Sequence, residues 1–153
     1  MIGIAPTVGG ARARPLDESR EGAGHYTLHD ARFTDFVQAF DGVPTPLGGK
    51  RLEMLARHLA SVGLVYAPPK GLTGVFELNY VGSRFLNKRN TAPVEGYVTL
   101  SASAGYRSGR WEVRVDGRNL TGRRDAVSES ELGDAQYYRM VARRVDAAVA
   151  VKF

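Results

Sequence analysis

Residues 111–120 read WEVRVDGRNL, and apolar and charged side chains alternate along them. Successive side chains of a strand point to opposite faces, so Trp111 and Val113 share one face while Glu112 and Arg114 share the other. Alternation with this period is typical of a strand that separates two environments. The stretch therefore predicts a strand with one apolar face and one polar face.

Further segments alternate in the same way and bring the total to about six strands. The parity changes midway through the first of them, which indicates a bulge. The first half of the second, residues 51–60, also fits a helix. The six segments cover residues 26–37, 52–66, 72–83, 97–106, 111–120 and 144–153.

The connections between these segments are of two kinds. Residues 68–71 (PPKG) and 107–110 (RSGR) are compact turn signals, whereas residues 38–50, 87–93 and 121–136 are long and polar. Short turns that alternate with long loops are typical of a barrel whose two ends differ. The first 24 residues show neither this periodicity nor a basic region followed by an apolar run, so they predict a loop or disordered lead rather than a secretory leader.

The composition excludes several classes of site. The 153 residues carry a formal net charge of +5 and contain no cysteine, which excludes disulfides, thiolate metal sites and cysteine nucleophiles. No run approaches the roughly 18 apolar residues of a membrane helix. The length alone suits one ordinary domain.

Whether the apolar face meets lipid or a protein core is left open by parity alone. Small and medium apolar residues, segments of about ten residues and aromatic residues near the segment ends favour a membrane barrel. A soluble β-sandwich or barrel that binds a polyanion or a protein partner is the alternative interpretation. The aromatic residues are Tyr66, Tyr106, Trp111 and Phe153 near the short turns, and Tyr80, Phe85, Tyr97, Tyr137 and Tyr138 near the long loops.

A family resemblance favours the membrane interpretation. Five pieces of sequence follow one another from Tyr26 onward. They are residues 26–36 (YTLHDARFTDF), 79–85 (NYVGSRF) with Asn90-Thr91, Gly96-Tyr97, 117–124 (GRNLTGRR) and the terminal Phe153. In this order they resemble the C-terminal part of the β-barrel of TonB-dependent outer-membrane receptors. Gly122 departs from the acidic residue usual at its position, and residues 140–143 lack the proline often found before the last strand.

The resemblance implies an all-β fold in which about six antiparallel, up-and-down strands form a segment of a transmembrane β-barrel. Residues 25–153 would be the C-terminal segment of the barrel, preceded by the lead of residues 1–24. The whole receptor would have about 22 strands and an N-terminal plug that engages the TonB system, and would import a ferric siderophore or a similar nutrient. Without the plug and most strands, this segment is expected not to transport by itself.

The resemblance also implies a location and partners. The location is the bacterial outer membrane, with its lipid and an iron chelate as partners, and Phe153 is expected to be part of the signal that the barrel-assembly machinery reads. Loops on a rigid scaffold usually carry recognition. The candidate ligand-binding residues are therefore Arg84, Lys88, Arg89, Arg123, Arg124, Tyr137 and Tyr138.

Other motifs predict no catalysis, cofactor or metal site. His25 and His29 are about 13 Å apart on a strand, too far for one ion. Arginines interleave with Glu112 and Asp116, which predicts a mixed-charge wall rather than a nucleic-acid surface. Asn119 is expected to form a strand-end turn, and residues 128–134 an acidic solvated loop. The chain is not expected to be an enzyme.

Overall fold

The computed structural model describes residues 2–4, 8–17, 19–129 and 137–152, and antiparallel strands make up most of them. Among these residues, no helix is long and apolar enough to cross a membrane. The strands are β1 (Ile2–Ile4), β2 (Val8–Asp17), β3 (Arg20–Leu28), β4 (Ala31–Phe33), β5 (Val37–Phe40), β6 (Val43–Pro46), β7 (His58–Tyr66), β8 (Gly71–Val81), β9 (Arg84–Phe85), β10 (Pro93–Val94), β11 (Tyr97–Ser108), β12 (Trp111–Arg118), β13 (Ala126–Glu129), β14 (Tyr137–Arg139) and β15 (Arg144–Val151).

The long strands form one seven-stranded sheet in the order β15-β12-β11-β8-β7-β3-β2. Each pair of neighbours in the sheet is antiparallel. The order follows the chain from β2 to β15, so the strands run up and down without crossing over. In the described residues the sheet is open, with β2 and β15 at its two ends. The predicted all-β, up-and-down architecture is confirmed.

The structure differs from the predicted lead over residues 1–24. Val8–Asp17 is strand β2, and β3 begins at Arg20, before the predicted start at residue 26. Glycine, alanine and arginine give β2 no apolar periodicity. Its backbone nevertheless pairs along β3, with Gly10 opposite Tyr26. The ladder is made by main-chain groups, which the side-chain pattern does not report.

Two other predicted boundaries are also corrected. The segment 26–37 is broken, because β3 ends at Leu28 and the chain turns away, with His29 N donating to Arg57 O at 2.8 Å. Residues 51–57 form turns and an isolated bridge instead of a helix or strand, and β7 begins at His58. Residues directly before a strand can continue its alternating apolar pattern although their backbone pairs with no neighbouring strand.

The register gives the sheet two continuous faces, since residues opposite each other across a ladder point to the same side. Val113, for example, lies between Tyr106 and Val149, whereas Arg114 lies between Gly105 and Ala148. We call these the apolar face and the polar face. The apolar face includes Tyr26, Val62, Leu64, Tyr66, Leu72, Phe76, Leu78, Tyr80, Val98, Leu100, Tyr106, Trp111, Val113, Val115, Val145, Val149 and Val151. The polar face includes Glu21, His25, Ser61, Thr73, Glu77, Asn79, Thr99, Ser101, Ser103, Arg107, Glu112, Arg114, Asp116, Arg118, Arg144 and Asp146.

Large side chains on the apolar face are exposed, for example Trp111 at 57% and Val149 at 64%. A β-sandwich would cover this face with a second sheet. In the described residues, the buried apolar side chains Ala31, Phe33, Leu47, Ala56 and Leu86 lie beyond one end of the sheet instead. The buried Tyr97 is the first residue of β11 at that same end. The soluble sandwich is therefore not supported, and an exposed apolar band is what a membrane barrel wall presents to lipid.

Aromatic residues border the apolar face at both ends. Tyr66, Tyr106 and Trp111 lie at the short-turn end, and Tyr26 and Tyr80 lie at the long-loop end. All five are exposed. The arrangement fits the predicted pair of interfacial girdles. Of the residues predicted for the long-loop end, Tyr80 alone lies on this border. Tyr97 points to the polar face and is buried. Phe85, Tyr137 and Tyr138 lie in β9 and β14, outside the seven-stranded sheet.

Candidate ligand-binding site in the long-loop layer

The three long connections of the sheet meet at one end and form what we call the long-loop layer. It consists of residues 29–57, 82–96 and the described parts of 119–143. The layer contains the short hairpins β5–β6, β9–β10 and β13–β14. The side chain of Leu47 is fully buried in it, and Phe33 stacks on Phe36 with ring centroids 5.1 Å apart. The layer therefore has its own small apolar core.

Asn90 joins the first two loops of this layer. Its Oδ1 accepts from Arg51 N at 2.8 Å, and its Nδ2 donates to Arg51 O at 2.9 Å. The side-chain amide thus pairs with one residue as a neighbouring strand would. Asn90 has a φ of 57°, a left-handed conformation that asparagine tolerates better than most residues. Met54 N also donates to Phe85 O at 2.7 Å, so two connections hold these loops together.

The turn after β12 is built around Asn119, which is buried and has a φ of 48°. Its Nδ2 donates to the carbonyl oxygens of Arg123 at 2.7 Å and Val141 at 2.9 Å. Its Oδ1 accepts from Arg123 N at 3.0 Å. The predicted turn role of Asn119 is confirmed, and its side chain joins the two ends of the third loop.

Gly122 explains one departure from the family pattern. Its φ is 70°, and a Cβ at this position would lie 2.8 Å from the Arg143 Nη2. A side chain here would be strained by the backbone conformation and would displace the guanidinium. Glycine therefore allows the Arg143 side chain to lie directly against the turn.

Arg123 is held in place by a carboxylate. Its Nε and Nη2 donate to the two oxygens of Asp125 at 2.8 and 2.9 Å. This hydrogen bonding with Asp125 raises the pKa of Arg123 further above its usual high value. The guanidinium therefore stays charged and oriented over the physiological pH range.

A cavity of about 530 Å³ lies beside this turn. Its volume falls in the range of small-molecule sites. The lining combines three guanidinium groups with one carboxylate, a tyrosine and three apolar side chains. The lining residues are Leu86, Val94, Gly122, Arg123, Arg124, Asp125, Ala126, Tyr137 and Arg139.

Three predicted ligand residues, Arg123, Arg124 and Tyr137, meet in this cavity. Arg139 also lines it and was missed by the sequence analysis, although it follows Tyr137 by two residues and so shares its face on β14. Leu86 and Val94 were missed as well. Nothing in the local pattern marks them, because the structure brings them to the cavity from a different loop.

The other predicted ligand residues lie elsewhere. Lys88 Nζ is 3.9 Å from Glu53 Oε1, and the Arg89 guanidinium lies 4.8 Å from the centroid of the Phe40 ring. Tyr138 is 56% exposed. Arg84 was predicted to lie on an open loop, but it lies in β9 and is only 5% exposed. Buried under other residues, Arg84 packs against the Tyr97 ring instead of facing solvent.

The polar face below the layer carries charges of both signs, as predicted. Within single strands, Arg114 pairs with Asp116 at 2.8 Å, and Arg144 pairs with Asp146 at 2.7 Å. A cross-strand pair joins Arg107 to Glu112 at 3.2 Å. Such neutralised arginines do not form the uniformly basic surface that binds nucleic acid.

The histidines have protein partners. His58 Nδ1 is 2.8 Å from the Tyr26 hydroxyl, His29 Nδ1 is 3.3 Å from Ala56 O, and His25 hydrogen-bonds to Thr27. In the part of the chain that the structure describes, no three His, Cys, Asp or Glu residues cluster as metal ligands. Two predicted features fall outside the described residues, namely Phe153 and most of the acidic loop 128–134.

Comparison with known proteins agrees with this architecture. The family model "TonB dependent receptor-like, beta-barrel" matches residues 11–120. No curated protein matches the sequence. Among solved structures, the siderophore receptor PiuA from Acinetobacter baumannii matches with a TM-score of 0.81 and 19% identity, over 96% of this chain and 21% of that one. The ferric yersiniabactin uptake receptor FyuA from Yersinia pestis matches with a TM-score of 0.76 and 19% identity, over 96% and 23%.

The ferric preacinetobactin receptor BauA from Acinetobacter baumannii is also similar, with a TM-score of 0.72 and 19% identity over 96% of this chain and 22% of that one. The chain thus spans about a fifth of the length of these receptors. At this identity the similarity concerns the fold. The family consists of outer-membrane transporters rather than enzymes. The match of the family model over residues 11–120 shows that this chain belongs to the TonB-dependent receptor-like β-barrel family, and the strand order and two faces of its sheet agree with that.

Proposed function

We propose that this chain is a C-terminal segment of the barrel wall of an outer-membrane receptor that takes up an anionic iron chelate, such as a ferric siderophore, or a similar nutrient. The observation that carries the proposal is the cavity in the long-loop layer, which Arg123, Arg124 and Arg139 line together with Tyr137. Asp125 also lines the cavity and pairs with Arg123, so Arg124 and Arg139 supply its excess of positive charge. Guanidinium groups attract anions and bind oxyanions through paired N–H donors. A tyrosine and apolar side chains in the same cavity suit an aromatic or aliphatic chelate framework.

The position of the cavity supports a receptor role. It lies in the layer of long loops, at the end of a sheet whose polar face would line the lumen of a closed barrel. The edge of that polar face next to the layer carries two further arginines, Arg118 and Arg144, opposite each other across the ladder. The similar solved proteins are a siderophore receptor, a ferric yersiniabactin uptake receptor and a ferric preacinetobactin receptor.

The segment is proposed to work only as part of a larger assembly. Unpaired main-chain groups at the open edges of β2 and β15 would be costly in lipid, at several kcal/mol each. In the whole receptor these edges would pair with further strands, a plug would engage the TonB system, and Phe153 would serve the barrel-assembly machinery. The apolar face would contact outer-membrane lipid.

The test uses the longest reading frame that contains this chain, expressed in an iron-starved Gram-negative host that lacks its own siderophore receptors. We expect uptake of radioactive iron presented as a ferric tris-catecholate or a ferric carboxylate chelate, abolished when TonB is deleted. The double variant Arg124→Gln/Arg139→Gln should lower this uptake at equal outer-membrane yield. Arg110→Gln, at the short-turn end of the sheet, is the matched control and should leave uptake unchanged.

The results separate the parts of the proposal. Uptake of neither chelate by the wild type would overturn the iron-chelate assignment. Uptake that Arg124→Gln/Arg139→Gln leaves at the wild-type rate would show that the cavity is not the recognition site. Uptake by a host that expresses only the 153 residues would overturn the claim that the segment does not transport alone.

A further inference from the structure

The Arg84 side chain is buried in the long-loop layer, where a cation needs compensation. Its Nη2 donates to Ala126 O, and its Cζ lies 5.2 Å from the centroid of the Tyr97 ring. Its Nη1 has no hydrogen-bond partner among the described residues. The partners that hold this cation are thus a carbonyl oxygen and an aromatic ring, rather than a carboxylate as for Arg123.

Tyr97 is contacted by a second guanidinium from another loop. The Arg123 Cζ lies 5.9 Å from the centroid of the same ring, which is only 8% exposed. Arg84 comes from the loop of residues 82–96, and Arg123 from the loop after β12. Tyr97, at the start of β11, therefore connects two loops to the sheet through its ring face.

These contacts involve residues that line the cavity from two different loops. Ala126, which accepts from Arg84, lines the cavity together with Arg123. Val94 lines it from the other loop and is the strand partner of Arg84 in the β9–β10 hairpin. Arg84 itself does not line the cavity. Its place is behind the wall, in contact with the residues that form it.

We propose that Arg84 and Tyr97 are positioning residues for the cavity: together they fix the segment 123–126 against the β9–β10 hairpin and so set the affinity for the anionic ligand. This inference rests on the proposed function for its ligand, but the positioning itself is a property of the ligand-free protein. A planar guanidinium suits both contacts, because it stacks on a ring while its N–H groups donate in the plane.

The experiment compares Arg84→Gln, Tyr97→Leu, their double variant and Tyr97→Phe in the longest reading frame that contains this chain. Two quantities are measured on protein purified from outer membranes: hydrogen exchange of peptides covering residues 122–127 without ligand, and the Kd for a ferric tris-catecholate. Arg20→Gln is the matched control, since its Cζ lies 5.5 Å from the Tyr66 ring at the opposite end of the sheet.

We expect Arg84→Gln and Tyr97→Leu each to speed exchange at 122–127 and to raise the Kd about tenfold. The double variant should do no more than either single variant, because each change releases the same segment. Tyr97→Phe keeps the aromatic ring, and Arg20→Gln leaves the cavity and the long-loop layer unchanged. Both variants should therefore behave as wild type. If Arg84→Gln does not reach the membrane, the positioning role is tested by comparing Tyr97→Leu with Tyr97→Phe.

Unchanged exchange in Arg84→Gln or in Tyr97→Leu would overturn the positioning role. Fully additive effects on the Kd would also overturn it, since they would indicate that Arg84 touches the ligand directly. If the wild type binds no ferric tris-catecholate, that failure concerns the ligand assignment of the proposed function, and the exchange measurement alone decides the positioning role.

Discussion

Replacing Asn119 with alanine tests how the third long loop is held to the sheet. The substitution removes the hydrogen bonds to Arg123 O, Val141 O and Arg123 N. Each bond contributes about 0.5–1.5 kcal/mol, so their loss should cost roughly 2–4 kcal/mol. Alanine also pays about 1 kcal/mol for the left-handed φ of 48°. Local opening at residues 119–125 should therefore become easier by about 3–5 kcal/mol.

Glycine separates the two contributions. Asn119→Gly loses the same hydrogen bonds but adopts the left-handed conformation freely, so we expect a loss of only about 2–4 kcal/mol. The free energy of local opening is measured by native-state hydrogen exchange on peptides covering residues 119–125. The control is Asn79→Ala on β8, whose Nδ2 donates to Glu77 Oε1 at 2.8 Å. It should leave exchange at 119–125 unchanged.

Two results would refute the reasoning. Wild-type exchange at 119–125 in both Asn119 variants would mean that the side-chain amide does not hold the turn. A glycine variant that opens as easily as the alanine variant would mean that the backbone conformation carries no strain there.

Further substitutions test other parts of the fold. Asn90→Ala should speed hydrogen exchange at residues 50–54, because it leaves both backbone groups of Arg51 unpaired. The connection between the first two loops should weaken by about 1–3 kcal/mol. Unchanged exchange would contradict the contact. Val62→Arg, on the apolar face, should cost about 2–4 kcal/mol in urea unfolding of the receptor in lipid, whereas Ser61→Arg, on the polar face, should cost little; equal costs would contradict the face assignment. The 153 residues alone should give no heat-resistant, membrane-inserted band on a gel, and such a band would refute the claim that the open edges forbid insertion. Deletion of Phe153 in the whole receptor should lower outer-membrane yield, and an unchanged yield would remove its role as an assembly signal.

The two faces of the sheet could be predicted from the sequence because their cause is local. In 111–118 every second side chain is apolar, and the ladder preserves that parity across neighbours. Strand β2 could not be predicted, since its partner supplies hydrogen bonds to a backbone whose side chains show no period. Family resemblance, rather than alternation, decided between lipid and a protein core.

The loop contacts could be predicted only in part. Arg123, Arg124 and Tyr137 come from one connection and are predicted from the sequence as ligand candidates in a long loop, although their meeting in one cavity depends on folding. Asn90 contacts Arg51 across 39 residues of sequence, and no local pattern reports such a contact. Arg84 shows the limit most clearly, because a charged loop residue ordinarily predicts exposure and this one is buried beside an aromatic ring.

The spacing of the aromatic residues on the apolar face has a consequence for the membrane that the sheet suits. Along β11, Val98 lies opposite Tyr80 and Tyr106 lies opposite Leu72, so the band between the two borders is about 27 Å long at roughly 3.4 Å per residue. With the strand tilt of about 40° usual in barrels, its height falls to about 20 Å. A typical hydrocarbon core of about 30 Å would have to thin around it, at a fraction of a kcal/mol per Å of mismatch. Lipids with short acyl chains should therefore surround this wall with the least deformation. The length of the strands thus favours insertion into a thin bilayer over a thick one.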